Sequence, residues 1–246
     1  MGAGYARSRP PVHPHIVGAA SQALGRTGPW RRALDVGCGA GLSTKALEGF
    51  ARQRIGLEPA ESMLRWTNEV APQGEFIVGA AEALPVDRAA VDVITAAGSL
   101  NYVGSLDRFF PEAARVLAAD GVMLVYDFSP GSRFRQSPAL TEWTEAFTAR
   151  YPKPVSEARP LSPAILGGLD ERFRLIAARE LTIGLTLAPS FYVDYMMTET
   201  NVAAAVRRGD TEASIRAWCE ATLAPVWQGE PREVLFDGYF ACLARA

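Results

Sequence analysis

A short segment of the chain combines a carboxylate with closely spaced glycines. Asp35 precedes Gly37, Gly39 and Gly41, and Cys38 stands between the first two glycines. Glycines at this spacing permit a tight backbone turn and let a ligand approach main-chain N–H groups. The carboxylate of Asp35 would repel a pyrophosphate and attract an ammonium group. The segment therefore favours a nucleotide-like ligand that carries an ammonium group.

Two further acidic segments follow the ends of predicted strands. Glu58 stands 17 residues beyond Gly41, where a carboxylate can accept hydrogen bonds from both hydroxyls of a ribose. Ala81 and Glu82 follow the next strand, where a backbone amide and a polar side chain can frame the edge of an adenine. The glycine spacing is G-x-G-x-G rather than the G-x-G-x-x-G of dinucleotide sites, because Leu42 stands where the third glycine of that motif would be.

These residues need a scaffold whose strand ends meet at one edge. Short apolar segments alternate with helical ones over about 100 residues, which predicts parallel strands joined by helices. Right-handed crossovers give a doubly wound α/β sheet that binds ligands at the carboxyl ends of its strands. The predicted strands are 32–37, 54–58, 75–78, 91–96 and 122–128, and the predicted helices are 14–26, 42–52, 60–70 and 107–117.

The rest of the chain has a different rhythm. The predicted elements are helices at 141–150, 191–207 and 212–223 and strands at 173–187 and 234–243. We predict one domain over residues 1–246. Its predicted parts are an N-terminal arm and helix over the cofactor (1–29), a cofactor-binding core (30–128), and the last strands with helical lid insertions (129–246).

The motifs in the first half resemble those of class I S-adenosylmethionine-dependent methyltransferases. The most similar group is that of small-molecule enzymes related to ubiquinone and menaquinone biosynthesis methyltransferases. LDVGCGAGLST resembles the family's first motif, IGLEPAESML the second, GAAEALPV the third and RVLAADGVMLVYDF the segment that closes the core. In the third motif Ala80 replaces the usual Asp, so recognition of the adenine amino group is left to Ala81 and Glu82.

The resemblance implies the Rossmann-like methyltransferase fold, a mostly parallel seven-stranded sheet with a small helical lid. It implies S-adenosylmethionine as cofactor, with the ribose at Glu58 and the adenine beside Met63. The first three motifs contain carboxylates and no lysine or arginine, which suits a ligand without phosphate. The expected cofactor-binding residues are Asp35, Gly37, Cys38, Gly39, Gly41, Glu58, Pro59, Met63, Ala81, Glu82 and Ala97.

The expected reaction is methyl transfer to a small-molecule acceptor by in-line displacement. Holding the acceptor in place supplies most of the rate enhancement, because effective molarities can lower the activation barrier by ~7–11 kcal/mol. A base is required only where the acceptor must lose a proton. The candidate catalytic residues are His13, Asn101 and Tyr102; many family members carry His-Trp at the last two positions. The sequence leaves open the acceptor, the methylated atom and the base.

Two other functions stay open at this point. An NAD(P)-dependent oxidoreductase on a Rossmann sheet would need a turn that accommodates phosphate, which Leu42 and Asp35 disfavour. A non-catalytic S-adenosylmethionine-binding protein would keep the cleft and methylate nothing. Ala80 and the missing His-Trp pair are compatible with that alternative.

The predicted lid supplies candidate contacts for an acceptor. Arg133 and Arg135 are candidate partners of an anionic acceptor. The candidate aromatic residues of an apolar pocket are Trp143, Phe147, Phe191, Tyr192 and Tyr195. Packing in a core is the alternative role of such side chains.

Composition agrees with a globular protein that acts on small molecules. The 246 residues include 25 Lys+Arg and 27 Asp+Glu, a formal net charge of −2, so the basic footprint of nucleic-acid binding is absent. No apolar segment approaches the ~20 residues of a membrane span, and the start lacks a signal-peptide pattern. Three cysteines without CxxC spacing and two histidines predict neither disulfides nor a metal site. We expect a cytoplasmic monomer or homodimer.

Overall fold

The computed structural model describes residues 7–246; residues 1–6 of the predicted N-terminal arm lie outside the described part. The chain divides into two compact units, each built from several segments. The core unit comprises Pro11–Phe128, Glu157–Leu181 and Gly238–Ala246. The helical unit comprises 7–10, Ser129–Ser156 and Thr182–Asp237.

Strands and helices alternate along the first half of the chain. The strands are β1 Trp30–Val36, β2 Ala51–Glu58, β3 Glu75–Val78, β4 Val91–Ala97, β5 Leu117–Phe128, β6 Arg133–Phe134, β7 Phe173–Leu187 and β8 Arg232–Arg245. The α-helices are α1 His13–Ala23, α2 Leu42–Ala46, α3 Glu61–Leu64, α4 Thr67–Val70, α5 Leu106–Val116, α6 Ala139–Arg150, α7 Pro163–Leu166, α8 Pro189–Met196, α9 Thr200–Arg207 and α10 Glu212–Trp227. A 3-10 helix spans Leu100–Tyr102.

The sheet of the core unit is mostly parallel. Its strands follow the order β3-β2-β1-β4-β5, and residues 238–244 of β8 pair antiparallel to β5. Asp35 on β1 lies opposite Gly56 on β2 and Thr95 on β4. The strand order reverses between β1 and β4, so their carboxyl ends form the crevice in which such sheets bind ligands. The predicted doubly wound α/β sheet is confirmed.

The sheet of the core unit is covered on both faces. Phe110 and Val116 of α5 are buried in the same apolar cluster as Val125 of β5. Successive side chains of a strand point to opposite faces, so Tyr126 faces the other side. There, Nδ1 of His13 at the start of α1 lies 3.0 Å from the Tyr126 hydroxyl oxygen.

Aromatic side chains fill the centre of the helical unit. Trp143 and Phe147 of α6 stack with ring centroids 5.2 Å apart, and Trp227 of α10 lies 4.7 Å from Tyr192 of α8. The indole N–H of Trp227 donates to the carbonyl of Leu187 at 3.2 Å. Four of the aromatic candidates are buried, which favours core packing: Trp143, Phe147, Tyr192 and Tyr195.

Two arginines predicted as candidate partners of an anionic acceptor already have carboxylate partners. Arg133 contacts Asp237 and Arg135 contacts Glu233, each at 2.7 Å between nitrogen and oxygen. Both pairs are solvent-exposed and span residues that β6 and β8 bring together in the helical unit. The arginines therefore pair with carboxylates of β8, and an acceptor would have to displace a carboxylate to bind them.

Several predicted boundaries differ from the structure. The described residues contain eight strands rather than seven, because β6 adds a two-residue strand beside β8. The helix predicted at 42–52 ends at Ala46, and β2 already begins at Ala51. Gly49 lies in the turn between them with a φ of +80°, a left-handed conformation that glycine adopts readily.

Two predicted helices are each split by a threonine. The segment 60–70 forms α3 and α4, and the Thr67 hydroxyl donates to the Leu64 carbonyl at 2.7 Å. The segment 191–207 is split between α8 and α9, where the Thr198 hydroxyl donates to the Tyr195 carbonyl at 2.7 Å. Such side-chain bonds compete with helical backbone bonds. In the described part of the chain, no helix combines the length and apolar character that crossing a bilayer requires.

Candidate functional site

The glycine turn after β1 adopts backbone conformations that favour glycine. Gly37, Gly39 and Gly41 have φ values of +72°, +55° and +96°. The N–H groups of Gly37 and Cys38 donate to the carbonyl of Leu57, at 2.8 and 3.0 Å, which ties the turn to β2. A Cβ on Gly37 would collide with the side chain of Ser99. The turn is thus held between the ends of β2 and β4.

Asp35 is fully buried immediately before this turn. Its carboxylate accepts hydrogen bonds from the hydroxyls of Ser43 and Thr44 at 2.6 Å and of Thr95 at 2.8 Å. Burial raises the pKa of Asp35, the three hydroxyl donors offset part of that rise, and the charge of Glu58 adds to it. The carboxylate therefore fastens α2 and β4 to β1, and its attraction of an ammonium group stays a prediction.

Glu58 ends β2 with its carboxylate held by two backbone donors. The N–H of Gly39 donates to Oε2 at 3.1 Å, and the N–H of Ala60 donates to Oε1 at 3.0 Å. Each oxygen keeps a further acceptor lone pair. The carboxylate is thereby preoriented as a bidentate acceptor at the end of β2.

Ala81 and Glu82 form part of the loop after β3. Ala81 is buried, and Oε1 of Glu82 accepts a hydrogen bond from the N–H of Ser105 at 3.1 Å. Ser105 is the N-cap residue of α5. Glu82 therefore links this loop to the start of the helix.

The loop after β4 carries two of the candidate catalytic residues. The hydroxyl of Ser99 donates to the carbonyl of Val36 at 2.6 Å, which fixes the loop against the glycine turn. Asn101 accepts a hydrogen bond from the N–H of Arg159 through its backbone carbonyl, at 2.9 Å. Tyr102 is 68% exposed, so its side chain is available to a ligand.

A cleft of about 420 Å³ lies between these loops in the core unit. Its size falls within the ~300–1,000 Å³ typical of small-molecule sites. Six of the candidate catalytic and cofactor-binding residues line it: Gly37, Glu58, Pro59, Ala81, Glu82 and Tyr102. The structure places the others outside its lining: His13, Asp35, Cys38, Gly39, Gly41, Met63, Ala97 and Asn101.

The residues outside the lining have structural contacts. Met63 packs against the turn, since its terminal methyl lies 3.7 Å from the position of a Cβ on Gly39. Cys38 is buried, and burial followed by the charges of Asp35 and Glu58 raises the pKa of its thiol, which makes it a poor nucleophile. His13 lies edge-on to the ring of Phe128 at 5.0 Å between centroids.

Residues 34–125, which include β1 and the turn, match the family model of a methyltransferase domain. These residues form a methyltransferase domain. The expected resemblance to class I S-adenosylmethionine-dependent methyltransferases is confirmed for this segment, and a curated ubiquinone/menaquinone biosynthesis C-methyltransferase is among the proteins it resembles.

Relatives of the methyltransferase domain match about half of the chain or less. An uncharacterized methyltransferase of Mycobacterium tuberculosis is 32% identical over 117 residues, 48% of this chain and 46% of that protein. The ubiquinone/menaquinone biosynthesis C-methyltransferase of Campylobacter jejuni is 28% identical over 102 residues, 39% of this chain and 43% of that protein. The chain thus spans less than half the length of these curated relatives.

A solved structure shares the fold over most of the chain. A candidate type II methyltransferase from Anaeromyxobacter dehalogenans superposes with a TM-score of 0.71 and 24% identity. The match covers 92% of this chain and 95% of that chain. At this identity the likeness concerns the fold alone.

The methyltransferase domain also brings to the cleft residues that the sequence analysis did not select as ligand contacts. Ser99, Val103, Gly104 and Gly79 line it. Ser99 is the second residue after β4, and its place at the end of that strand was the available signal. A larger cavity of about 650 Å³ lies in the helical unit but contains neither a glycine turn nor a parallel-strand end. Within residues 7–246 no group of three His, Cys, Asp or Glu side chains is arranged to hold a metal ion.

Proposed function

We propose that the chain transfers a methyl group from S-adenosylmethionine to a small-molecule acceptor and binds the cofactor in the cleft of the core unit. The charge of the cleft carries this proposal. Glu58 and Glu82 line it, whereas none of its lining residues in the described chain is lysine, arginine or histidine. Such a lining suits a cationic nucleoside and disfavours a phosphate-bearing one. When bound, the cofactor supplies a methyl group made electrophilic by its sulfonium.

The ribose would be held by Glu58. Its two oxygens are oriented by the N–H groups of Gly39 and Ala60, and their remaining lone pairs can accept from both hydroxyls of a diol. The bonds from hydroxyl to carboxylate are charge-assisted and therefore stronger than neutral ones. Glu58 thus binds and orients the nucleoside without taking part in proton transfer.

The adenine would lie against the loop after β3. Ala81 offers a backbone amide, and Glu82 can accept from an exocyclic amine through the carboxylate oxygen that does not bond to Ser105. Ala80 has no polar side chain, so Glu82 supplies the acidic group of this end of the cleft. Catalysis is proposed to come mainly from proximity, which requires the cleft to hold the acceptor in line with the methyl group.

Of the three candidate catalytic residues, Tyr102 alone has its side chain at the cleft. We assign it the role of contacting the acceptor or the nucleoside. His13 is engaged with the Tyr126 hydroxyl at 3.0 Å, and Asn101 is placed by its backbone bond to Arg159. We therefore assign His13 to support of the sheet and Asn101 to support of the loop, and neither to proton transfer.

The proposal is tested by ligand binding to the purified protein. Isothermal titration calorimetry should show saturable binding of S-adenosylmethionine and S-adenosylhomocysteine, and none of NAD or NADP at the same concentrations. Binding of NAD or NADP with no heat from S-adenosylhomocysteine would establish the oxidoreductase alternative. Binding followed by no labelled product from a methyl-labelled cofactor with amine, phenol, carboxylate and quinol acceptors would favour the non-catalytic alternative.

Glu58→Gln is expected to weaken S-adenosylhomocysteine binding at least about tenfold. Gln offers a single acceptor oxygen, so one charge-assisted hydrogen bond to the ribose is lost, worth roughly 1.5–3 kcal/mol. Calorimetric Kd values measure the effect. The matched control is Glu61→Gln, an exposed carboxyl three residues further on, which should leave the Kd unchanged. Equal affinities for the wild type and Glu58→Gln would refute the ribose assignment.

A further inference from the structure

Arg115, in the last turn of α5, forms hydrogen bonds with the loop that follows β3. Its Nη1 donates to the carbonyl of Val86 and its Nη2 to the carbonyl of Leu84, both at 2.7 Å. The same guanidinium binds both oxygens of Glu112 at 2.7 Å. Glu112 in turn accepts from the N–H of Leu84 at 2.9 Å. A single ion pair thus satisfies three backbone groups of the loop.

The loop after β3 is bonded to both ends of α5, with Arg115 and Glu112 at the C-terminal end. At the other end of the helix, the N–H of Ser105 donates to Glu82, which lines the cleft. The helix between Ser105 and Arg115 is anchored by Phe109 and Phe110, which are fully buried or nearly so. The loop after β3 is therefore bonded to both ends of one helix whose middle is buried in the core.

Both partners of the ion pair are partly exposed, with side chains 29% and 24% accessible. Isolated ion pairs at such positions contribute little to global stability. This one differs because the planar guanidinium holds two loop carbonyls and a carboxylate at once, which requires the fork geometry of arginine. Its effect should therefore appear in the placement of the loop more than in the stability of the unit.

We propose that Arg115, together with Glu112, is a positioning residue that holds Ala81 and Glu82 in the geometry needed to recognise the adenine. The inference rests on the proposed function of the cleft. Neither residue lines the cleft, so each acts through the loop. Precise placement of ligand-contacting groups depends on such supporting bonds. Loosening them should cost affinity and, more specifically, discrimination at the base.

Arg115→Met is expected to weaken S-adenosylhomocysteine binding about tenfold. It should also reduce the preference for S-adenosylhomocysteine over S-inosylhomocysteine several-fold, because that preference depends on where Glu82 meets the 6-position of the base. Kd values for both ligands are measured by calorimetry at a temperature where every variant is folded. Arg115→Lys should recover only part of the loss, because lysine keeps a positive charge beside Glu112 but lacks the fork geometry of arginine. Glu112→Gln should also weaken S-adenosylhomocysteine binding and reduce the base preference, because it removes the carboxylate that binds both Arg115 and the N–H of Leu84.

Arg108→Met is the matched control, since Arg108 lies exposed on the same helix; it should change neither Kd nor preference. Hydrogen exchange of ligand-free protein gives an independent readout: the amides of residues 79–84 and of Val86 should exchange faster in Arg115→Met than in Arg108→Met. Unchanged exchange and unchanged base preference in Arg115→Met would overturn the positioning role while wild-type binding still upholds the proposed function. A wild type that binds neither nucleoside would overturn the proposed function and this inference together.

Discussion

Gly37→Ala is expected to lower the free energy of unfolding by roughly 2–5 kcal/mol and to abolish binding of S-adenosylhomocysteine. Gly37 has a φ of +72°, and a left-handed backbone costs an L-residue ~1–2 kcal/mol. The added Cβ would also collide with the side chain of Ser99, and overpacking of this kind costs ~1–3 kcal/mol. Relief of the backbone strain or of the collision would move the glycine turn, which borders the cleft. Urea unfolding and calorimetry measure the two effects.

Two further variants separate the causes of that loss. Gly49 has a φ of +80°, and a Cβ at this position would have no neighbouring atom within 4 Å, so Gly49→Ala should show the backbone cost alone. Adding Ser99→Gly to Gly37→Ala removes the colliding atoms and should recover part of the overpacking cost; the rest stays lost because the hydrogen bond from Ser99 to the Val36 carbonyl is removed as well. If Gly37→Ala is no less stable than Gly49→Ala, close contact with Ser99 does not determine the residue at position 37.

Asp35→Ala is expected to lower the free energy of unfolding by roughly 3–5 kcal/mol, because removing one member of a buried polar set leaves the others unsatisfied. The hydroxyls of Ser43, Thr44 and Thr95 would lose their shared acceptor. Asp92→Ala is the control: Asp92 is 26% accessible and accepts from a backbone N–H, so its loss should cost ~1 kcal/mol. Comparable losses in the two variants would contradict the role of Asp35.

The stability difference between the wild type and Asp35→Asn should depend on pH. The pKa of Asp35 is raised in the folded state, chiefly by burial. A raised carboxyl pKa contributes stability that is fully present below the unfolded value of ~3.9 and is lost as pH rises through the folded value. Wild-type stability relative to Asp35→Asn should therefore fall as pH rises above ~4. A constant or rising difference in urea titrations would show that the folded pKa is not raised.

The parallel sheet could be predicted because local patterns determine it. β3 has the predicted bounds, 75–78, and β7 the predicted bounds, 173–187, since continuous or alternating apolar residues mark strands directly. Helix lengths were less predictable. The splits at Thr67 and Thr198 depend on which carbonyl a hydroxyl meets, and periodicity does not report that choice. The two-residue strand β6 is too short to carry a pattern.

The candidate site shows the same division. Strand ends and glycine spacing indicated Gly37, Glu58 and Ala81, all of which line the cleft. The burial of Asp35 was not predicted, because its three hydroxyl partners come from two other elements. The anchoring of the loop by Arg115 could not be read from the sequence either, since 29 residues separate it from Val86 and only packing brings them together.

The two units have a consequence for how a ribosome must produce this protein. The chain passes between the units after residues 10, 128, 156, 181 and 237, so neither unit is a continuous stretch of polypeptide. Residues 238–244 supply the partner of β5, and until they emerge that strand has an open edge of unpaired backbone groups. A chain that is shortened to end before residue 238 should therefore aggregate through this open edge and yield insoluble protein.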